Sequence, residues 1–303
     1  MPSKNKDKQK NNITELLISA TSLLKTKQIP EAVFEAQTLL ARTLKKDRVF
    51  VIAHPEFIVT DILKNKYLTL INDRLKGWSL AVLTKSKSFY TSDFFVNSDV
   101  LVPRPETEIM VDAIIQELKD GDFVFDIGTG SGAIIVSVAK ATNSKFNHYF
   151  ASDKSTKALK VAAVNIKNSG LPIKLLNGDL LQPYQNILQA NRIDKLIIAA
   201  NLPYLTVAQL SEPSIKKEPK KALLSGSDGL WHYQRLFAQL ALLLKSGVSV
   251  SEISIYCEIN PEQIKAIKKK ALAKFAKAKV TFLPDLRGVK RFCLISISHH
   301  SNY

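Results

Sequence analysis

The stretch Phe123-Val-Phe-Asp-Ile-Gly-Thr-Gly-Ser-Gly-Ala-Ile-Ile135 reads as a strand, a glycine-rich turn and the start of a helix. Its opening residues are apolar except for Asp126, the composition of a strand buried on both faces. Gly128, Gly130 and Gly132 let backbone approach a ligand closely, and the helix that follows offers free amides and the positive end of its dipole. The spacing is G-x-G-x-G with Asp126 closing the strand, whereas a dinucleotide fold carries G-x-G-x-x-G. Such a turn is a weak signal alone. The segments downstream give it weight.

A second strand, Tyr149-Phe-Ala-Ser152, ends at Asp153, about 25 residues after the first glycine and near the offset at which an acid meets ribose hydroxyls in doubly wound folds. Ser155 caps a helix running through Lys167, with Gly170 beyond its end. A third strand, Ile173 to Leu176, leads into Asn177-Gly-Asp-Leu180, where Asp179 accepts from an exocyclic amine and Leu180 presses on an adenine face. Each acid by itself reads equally as a helix cap or turn residue. Together with Thr129 and Ser131 of the turn they outline one nucleoside site, its parts one strand apart. A diphosphate cofactor favours basic side chains, whereas Asp126, Asp153 and Asp179 suit a cationic nucleoside without phosphate. S-adenosylmethionine is that ligand, S-adenosylhomocysteine its product, and no metal is expected.

The chemistry is placed in Ile193-Asp-Lys-Leu-Ile-Ile-Ala-Ala-Asn-Leu-Pro-Tyr204. The run Leu196 to Ala200 is a buried strand that stops at Asn201. Asn201 offers an amide, Leu202 a carbonyl left unused because Pro203 breaks the ladder, and Tyr204 a flat ring. These groups, with Asn201 also at the edge of the cofactor site, suit a planar nitrogen-bearing substrate. Taken alone, the tetrapeptide is an ordinary strand-to-loop turn.

Ahead of this region, Ile13, Leu16, Leu17, Ala20, Leu23 and Leu24 form one helical stripe. A second helix is expected from Pro30-Glu31, carrying Ala32, Ala36, Leu39 and Leu40 inward, and a third from Thr60 to Leu75. This is a small all-helical module without catalytic residues, in which Trp78 and Leu80 read as packing. Short β-prone runs over 89–102 suggest a hairpin joining two domains. In Pro103-Arg-Pro-Glu-Thr-Glu108, helix initiation accounts for Pro105, Glu106 and Glu108, while Arg104 between two prolines suits a brace over a pocket. The expected divisions are a disordered basic tail over 1–11, a helical domain over 12–86, a hairpin linker over 87–102 and an α/β domain over 103–303. In the last third, helix Gly229 to Leu244, strand Glu252 to Glu258, helix Pro261 to Lys277 and a hairpin of Val280 to Leu283 with Arg291 to Ser296 complete an open sheet.

The chain has 303 residues, with hydrophobic and charged fractions of 46% and 23% that fit a globular protein of one large or two ordinary domains. Cys257 and Cys293 form no disulfide framework or metal spacing and read as strand-core residues, which points to a reducing cytoplasm. His299 and His300 are read as lying at a frayed end. No signal-peptide pattern is present, and no apolar run approaches the roughly 20 residues needed to span a bilayer. A net charge of +16 suggests a polyanion nearby, such as RNA, the ribosome or an acidic protein, though a basic proteome gives the same surplus.

These motifs together resemble the HemK/PrmC family of glutamine-specific protein methyltransferases, which modify class I peptide-chain release factors. The resemblance rests on Glu35-Ala-Gln-Thr-Leu-Leu40, Pro103-Arg-Pro-Glu-Thr-Glu108, Asp126-Ile-Gly-Thr-Gly-Ser-Gly132, Asp153, Asp179, Asn201-Leu-Pro-Tyr204 and Glu218-Pro-Lys-Lys-Ala-Leu followed by Gly226-Ser-Asp-Gly229. It implies a Rossmann-like class I methyltransferase domain, seven strands in the order 3-2-1-4-5-7-6 with strand 7 antiparallel, and a small N-terminal helical domain. It also implies methyl transfer to the glutamine of a Gly-Gly-Gln motif, with Asn201, Leu202, Pro203 and Tyr204 catalytic and substrate-binding and Arg104 on the substrate side. Where the family has Asn-Pro-Pro-Tyr, this chain has Leu202, which keeps the carbonyl but adds a free N–H. The competing reading is methylation of exocyclic amines in RNA or DNA, and a third is an inactive ribosome-associated protein. A monomer is expected, with weak ribosome or RNA contact through the basic surface and no membrane association.

Overall fold

The computed structural model describes residues 11–142, 148–211 and 217–298. The chain divides into two compact units, Met1–Ser86 and Lys87–Tyr303. Residues 1–10 of the expected tail, and His299 and His300, lie outside the described residues.

The first unit contains α1 (Ile13–Thr26), α2 (Ala32–Leu44), α3 (Arg48–Ala53), α4 (Asp61–Leu75) and α5 (Leu80–Thr84). Side chains cap several of them: Asn12 accepts from the Glu15 amide, Thr60 from Leu63 and Ser79 from Val82. Ile13, Leu16, Ala20 and Leu24 face Ala36, Leu39 and Leu40 in one core, while Leu23 of the expected stripe is exposed. Pro30 lies two residues before α2 rather than in its first turn. Glu35 is buried and takes two hydrogen bonds from the Arg74 guanidinium, the bidentate pairing that fixes α2 against α4.

The second unit opens with a hairpin, β1 (Lys87–Phe89) and β2 (Ser92–Phe94). Phe89 and Phe94 are buried in the same cluster as Met110, Val111 and Ile114 of α6 (Glu108–Glu117), so the hairpin is part of this unit's core. Next come β3 (Phe123–Ile127), α7 (Ala133–Thr142), β4 (His148–Asp153), α8 (Thr156–Ser169), β5 (Lys174–Asn177), α9 (Gln185–Ala190) and β6 (Ile193–Ala200). The chain continues through α10 (Trp231–Lys245), β7 (Val250–Glu258), α11 (Ile264–Lys274), β8 (Lys279–Pro284) and β9 (Lys290–Ser298). The sheet order is β5-β4-β3-β6-β7-β9-β8, with β9 antiparallel to both neighbours. Counted within the sheet this is 3-2-1-4-5-7-6, the Rossmann-like methyltransferase arrangement.

Alternate residues of the central strands feed two apolar layers: Phe125, Ile198 and Cys257 enter one, and Val124, Ile197 and Tyr256 the other. Both cysteines are buried. Ser155 and Gly170 cap α8 as expected, Gly170 in the left-handed region. The last helix ends at Lys274, before the expected Lys277, because Phe275 leaves helical geometry. Among the described residues no helix is long and apolar enough to cross a membrane. The chain order reverses direction around β3, which pairs with β4 on one side and β6 on the other. A crevice at the carboxyl ends of these strands is where an open α/β sheet binds ligands.

Candidate active site

A cavity of about 830 Å³ opens at that switch point. Gly128, Thr129, Gly130 and Ser131 form one wall, and Asp153, Asp179 and Leu180 continue it. Asn201, Leu202 and Pro203 close the other side. The two walls touch: Gly128 has φ +73°, and a Cβ there would lie 2.9 Å from Leu202 Cδ2. The turn is tied to the next strand by the amides of Gly128 and Thr129, which donate to the Ser152 carbonyl at 2.8 and 2.9 Å.

Four residues expected in the site do not line this cavity: Asp126, Gly132, Arg104 and Tyr204. Gly132 packs toward Ala162 of α8, at the distance of ordinary contact for an added Cβ. Asp126 is 1% exposed and stands behind the turn, accepting a hydrogen bond from Thr129 Oγ1 at 2.6 Å. Burial pushes its carboxyl up to about 7, against the opposing pull of donors from Thr129 and the Ile135 amide. The folded state therefore retains a proton that the unfolded chain releases near pH 4. The stability this contributes is complete below about pH 4 and is lost as pH rises through about 7. Urea titrations from pH 5 to 8 should show a falling midpoint that flattens in Asp126→Asn. Parallel profiles for the two proteins would show that the carboxyl does not titrate there.

Asp153 accepts from the Gly130 amide at 3.1 Å and the Ser155 amide at 2.8 Å, so it holds the turn and the residue that caps α8 while facing the cavity. Burial raises its carboxyl pKa. Asp179 is paired with Arg235 of α10, and Arg235 in turn lies over the Trp231 ring. The anionic character inferred from three aspartates is thus reduced: one is behind the turn and another is neutralised by arginine. Leu180, at φ +54°, is held in the left-handed region at a cost of about 1–2 kcal/mol, and its buried side chain lines the cavity.

The residue that organises the other wall is Glu258, at the end of β7. The register pairs Ala200 with Cys257, which sets Glu258 beside Asn201. Its Oε2 accepts from Asn201 Nδ2 at 2.8 Å and from Thr107 Oγ1 at 2.7 Å, and its Oε1 accepts from the Tyr204 hydroxyl at 3.0 Å. Three donors converging on two oxygens suit a carboxylate, which only accepts. Burial raises its pKa, and the hydroxyls of Thr107 and Tyr204 oppose that rise. Because Asn201 gives its Nδ2 to Glu258, its Oδ1 is turned away and buried, and among the described residues it has no hydrogen-bond partner. An orphaned acceptor in a cavity wall is a place for a ligand donor. The Leu202 carbonyl accepts no backbone amide among the described residues.

Tyr204 backs Asn201 through Glu258 rather than covering the cavity, and its carbonyl accepts from Gln263 Nε2 at 2.8 Å. Gly229 permits this approach, because a Cβ there would overlap the Tyr204 carbonyl. Arg104 is engaged with Glu218 at 2.7 Å, joining the proline-flanked segment to the loop whose Pro219 and Lys220 line the cavity. Thr107 and Glu258 were missed from sequence because one reads as helix initiation and the other as a strand end. The usable signal was an acid closing the strand next to Asn201. Among the described residues no group of three or more His, Cys, Asp or Glu is placed to hold a metal ion.

Two family models match the chain, PrmC N-terminal domain over residues 15–84 and Methyltransferase small domain over residues 105–200. The chain is 35% identical over 242 residues to the release factor glutamine methyltransferase of Clostridium acetobutylicum, covering 78% of this chain and 83% of the relative. It is 33% identical over 298 residues to the protein of the same description from Leptospira interrogans serogroup Icterohaemorrhagiae serovar Lai, covering 94% and 98%. Among solved structures, the hMettl16 catalytic domain in complex with MAT2A 3'UTR hairpin 1 is similar in fold, with a TM-score of 0.52 at 14% identity over 80% of this chain and 82% of that one.

Proposed function

The chain belongs to the family of release factor glutamine methyltransferases, and from that premise we propose that it moves a methyl group from S-adenosylmethionine to the side-chain amide nitrogen of the glutamine in a Gly-Gly-Gln motif of a class I release factor. The observation that carries the reading is the Asn201 Oδ1 next to the Leu202 carbonyl on the cavity wall, two acceptors without a partner among the described residues. A primary amide presents two N–H donors in one plane, and these two oxygens can each take one.

The opposite wall fits the nucleoside. The glycine turn allows close backbone approach, Asp153 faces the place of ribose hydroxyls, and Asp179 with Leu180 faces the place of adenine. When bound, S-adenosylmethionine supplies an electrophilic methyl on a sulfonium. The chain's own task is orientation and charge. An amide nitrogen is a poor nucleophile because its lone pair is delocalised into the carbonyl. Asn201 and Leu202, by accepting its hydrogens, fix its direction and favour positive charge on nitrogen as transfer proceeds. Glu258 keeps Asn201 in the accepting orientation and places a carboxylate behind it. The proton lost afterward passes to water, so no base in the cavity is required. We place the reaction in the cytoplasm.

Mass spectrometry of a release factor co-expressed with this chain tests the proposal: the Gly-Gly-Gln peptide should carry one added methyl on the glutamine. Incubation with labelled cofactor and either release factor or bulk RNA separates the exocyclic-amine reading. Label in RNA alone would refute glutamine as the acceptor.

A further inference from the structure

Ser225 and His232 form a buried pair on the nucleoside side of the cavity. His232 is in the first turn of α10 and lines the same cavity as Asp179 and Leu180. Its Nδ1 lies 2.8 Å from Ser225 Oγ, and its backbone N–H donates to that same oxygen at 3.2 Å. Ser225 is 1% exposed, so its hydroxyl proton needs an acceptor, and among the described residues Nδ1 is the one within reach. That assigns Ser225 as donor and Nδ1 as acceptor, which leaves the ring proton on Nε2. With the Nδ1 edge turned to Ser225, the Nε2 edge is the one left to the cavity. Burial, with the charges of Lys154 and Arg235, lowers the imidazole pKa to about 4, against the pull of Asp179, so the ring is neutral near pH 7. Trp231 packs edge-on against it, ring centroids 4.9 Å apart at 85°.

Arg235 follows His232 by three residues, on the same face of the helix, and holds the Asp179 carboxylate. A carboxylate acceptor and a neutral N–H donor thus stand together. Adenine is complementary to that pair, since its exocyclic amine donates and the ring nitrogens flanking it, N1 and N7, accept.

We propose that His232, oriented by Ser225, donates its Nε2–H to a ring nitrogen of the cofactor's adenine and so sets selectivity for the base. The proposal rests on the S-adenosylmethionine reading above. It is tested by calorimetry with S-adenosylhomocysteine and its 1-deaza and 7-deaza analogues. The unmodified chain should bind one of the two analogues roughly fivefold to tenfold more weakly than the parent, the loss expected for one neutral hydrogen bond. His232→Phe should bind the parent weaker by a similar factor and should no longer distinguish that analogue. Ser225→Ala, which frees the ring to change tautomer, should show a smaller loss. If both analogues bind the unmodified chain as tightly as the parent, the proposal is overturned whether or not the variants fold. If His232→Phe folds and binds the parent unchanged, it is overturned as well. No binding of S-adenosylhomocysteine by the unmodified chain would instead overturn the cofactor reading, and this proposal with it.

Discussion

Asn201→Ala is expected to lower kcat for glutamine methylation by about 10²–10³-fold, the loss typical when one preorganised hydrogen-bonding group is removed from a reacting centre. S-adenosylhomocysteine affinity should change far less, because the turn, Asp153 and Asp179 lie on the other wall. Asp153→Ala should do the reverse. Its carboxylate holds the Gly130 and Ser155 amides, so removal loosens the turn as well as deleting the acceptor proposed for the ribose. Isothermal titration and single-turnover kinetics on both variants separate binding from chemistry. Equal losses of cofactor affinity in the two would mean that the walls have been assigned the wrong roles.

Much of this site is local in the chain, and that part was legible. A buried strand ending in glycines, an acid one strand later and another one strand after that follow from parallel topology, which delivers every strand end to the same edge. Local patterns say less about where side chains point. Asp126 looked like a ligand because it ends a strand, yet its alternation with Ile127 turns it behind the turn. Asp179 looked free until α10 brought Arg235 to it from 56 residues away. Glu258 meets Thr107 from 151 residues away and Asn201 from 57, and its partnership exists only once β6 and β7 are in register. The Leu202 side chain presses on Gly128, a contact between two strand ends that the local sequence does not show.

That register makes Glu258→Gln the sharper test of how the wall works. A glutamine has nearly the same shape, can still accept from Asn201 Nδ2 and Thr107 through its carbonyl, and can donate to the Tyr204 hydroxyl. The variant should therefore fold and bind cofactor much as before. What disappears is the negative charge behind the acceptor oxygen while positive charge builds on the substrate nitrogen. In a buried site that change is expected to lower kcat about tenfold to hundredfold with a small effect on KM. The pH profile carries a second signature. Burial raises the Glu258 pKa, so in the unmodified chain activity should fall on acidification at a pH above the ordinary carboxylate range, as protonation removes the charge. That acid limb should be absent in Glu258→Gln. A variant with unchanged kcat, or one that keeps the limb, would show that Glu258 only fills space, and the orientation of Asn201 would then need another cause.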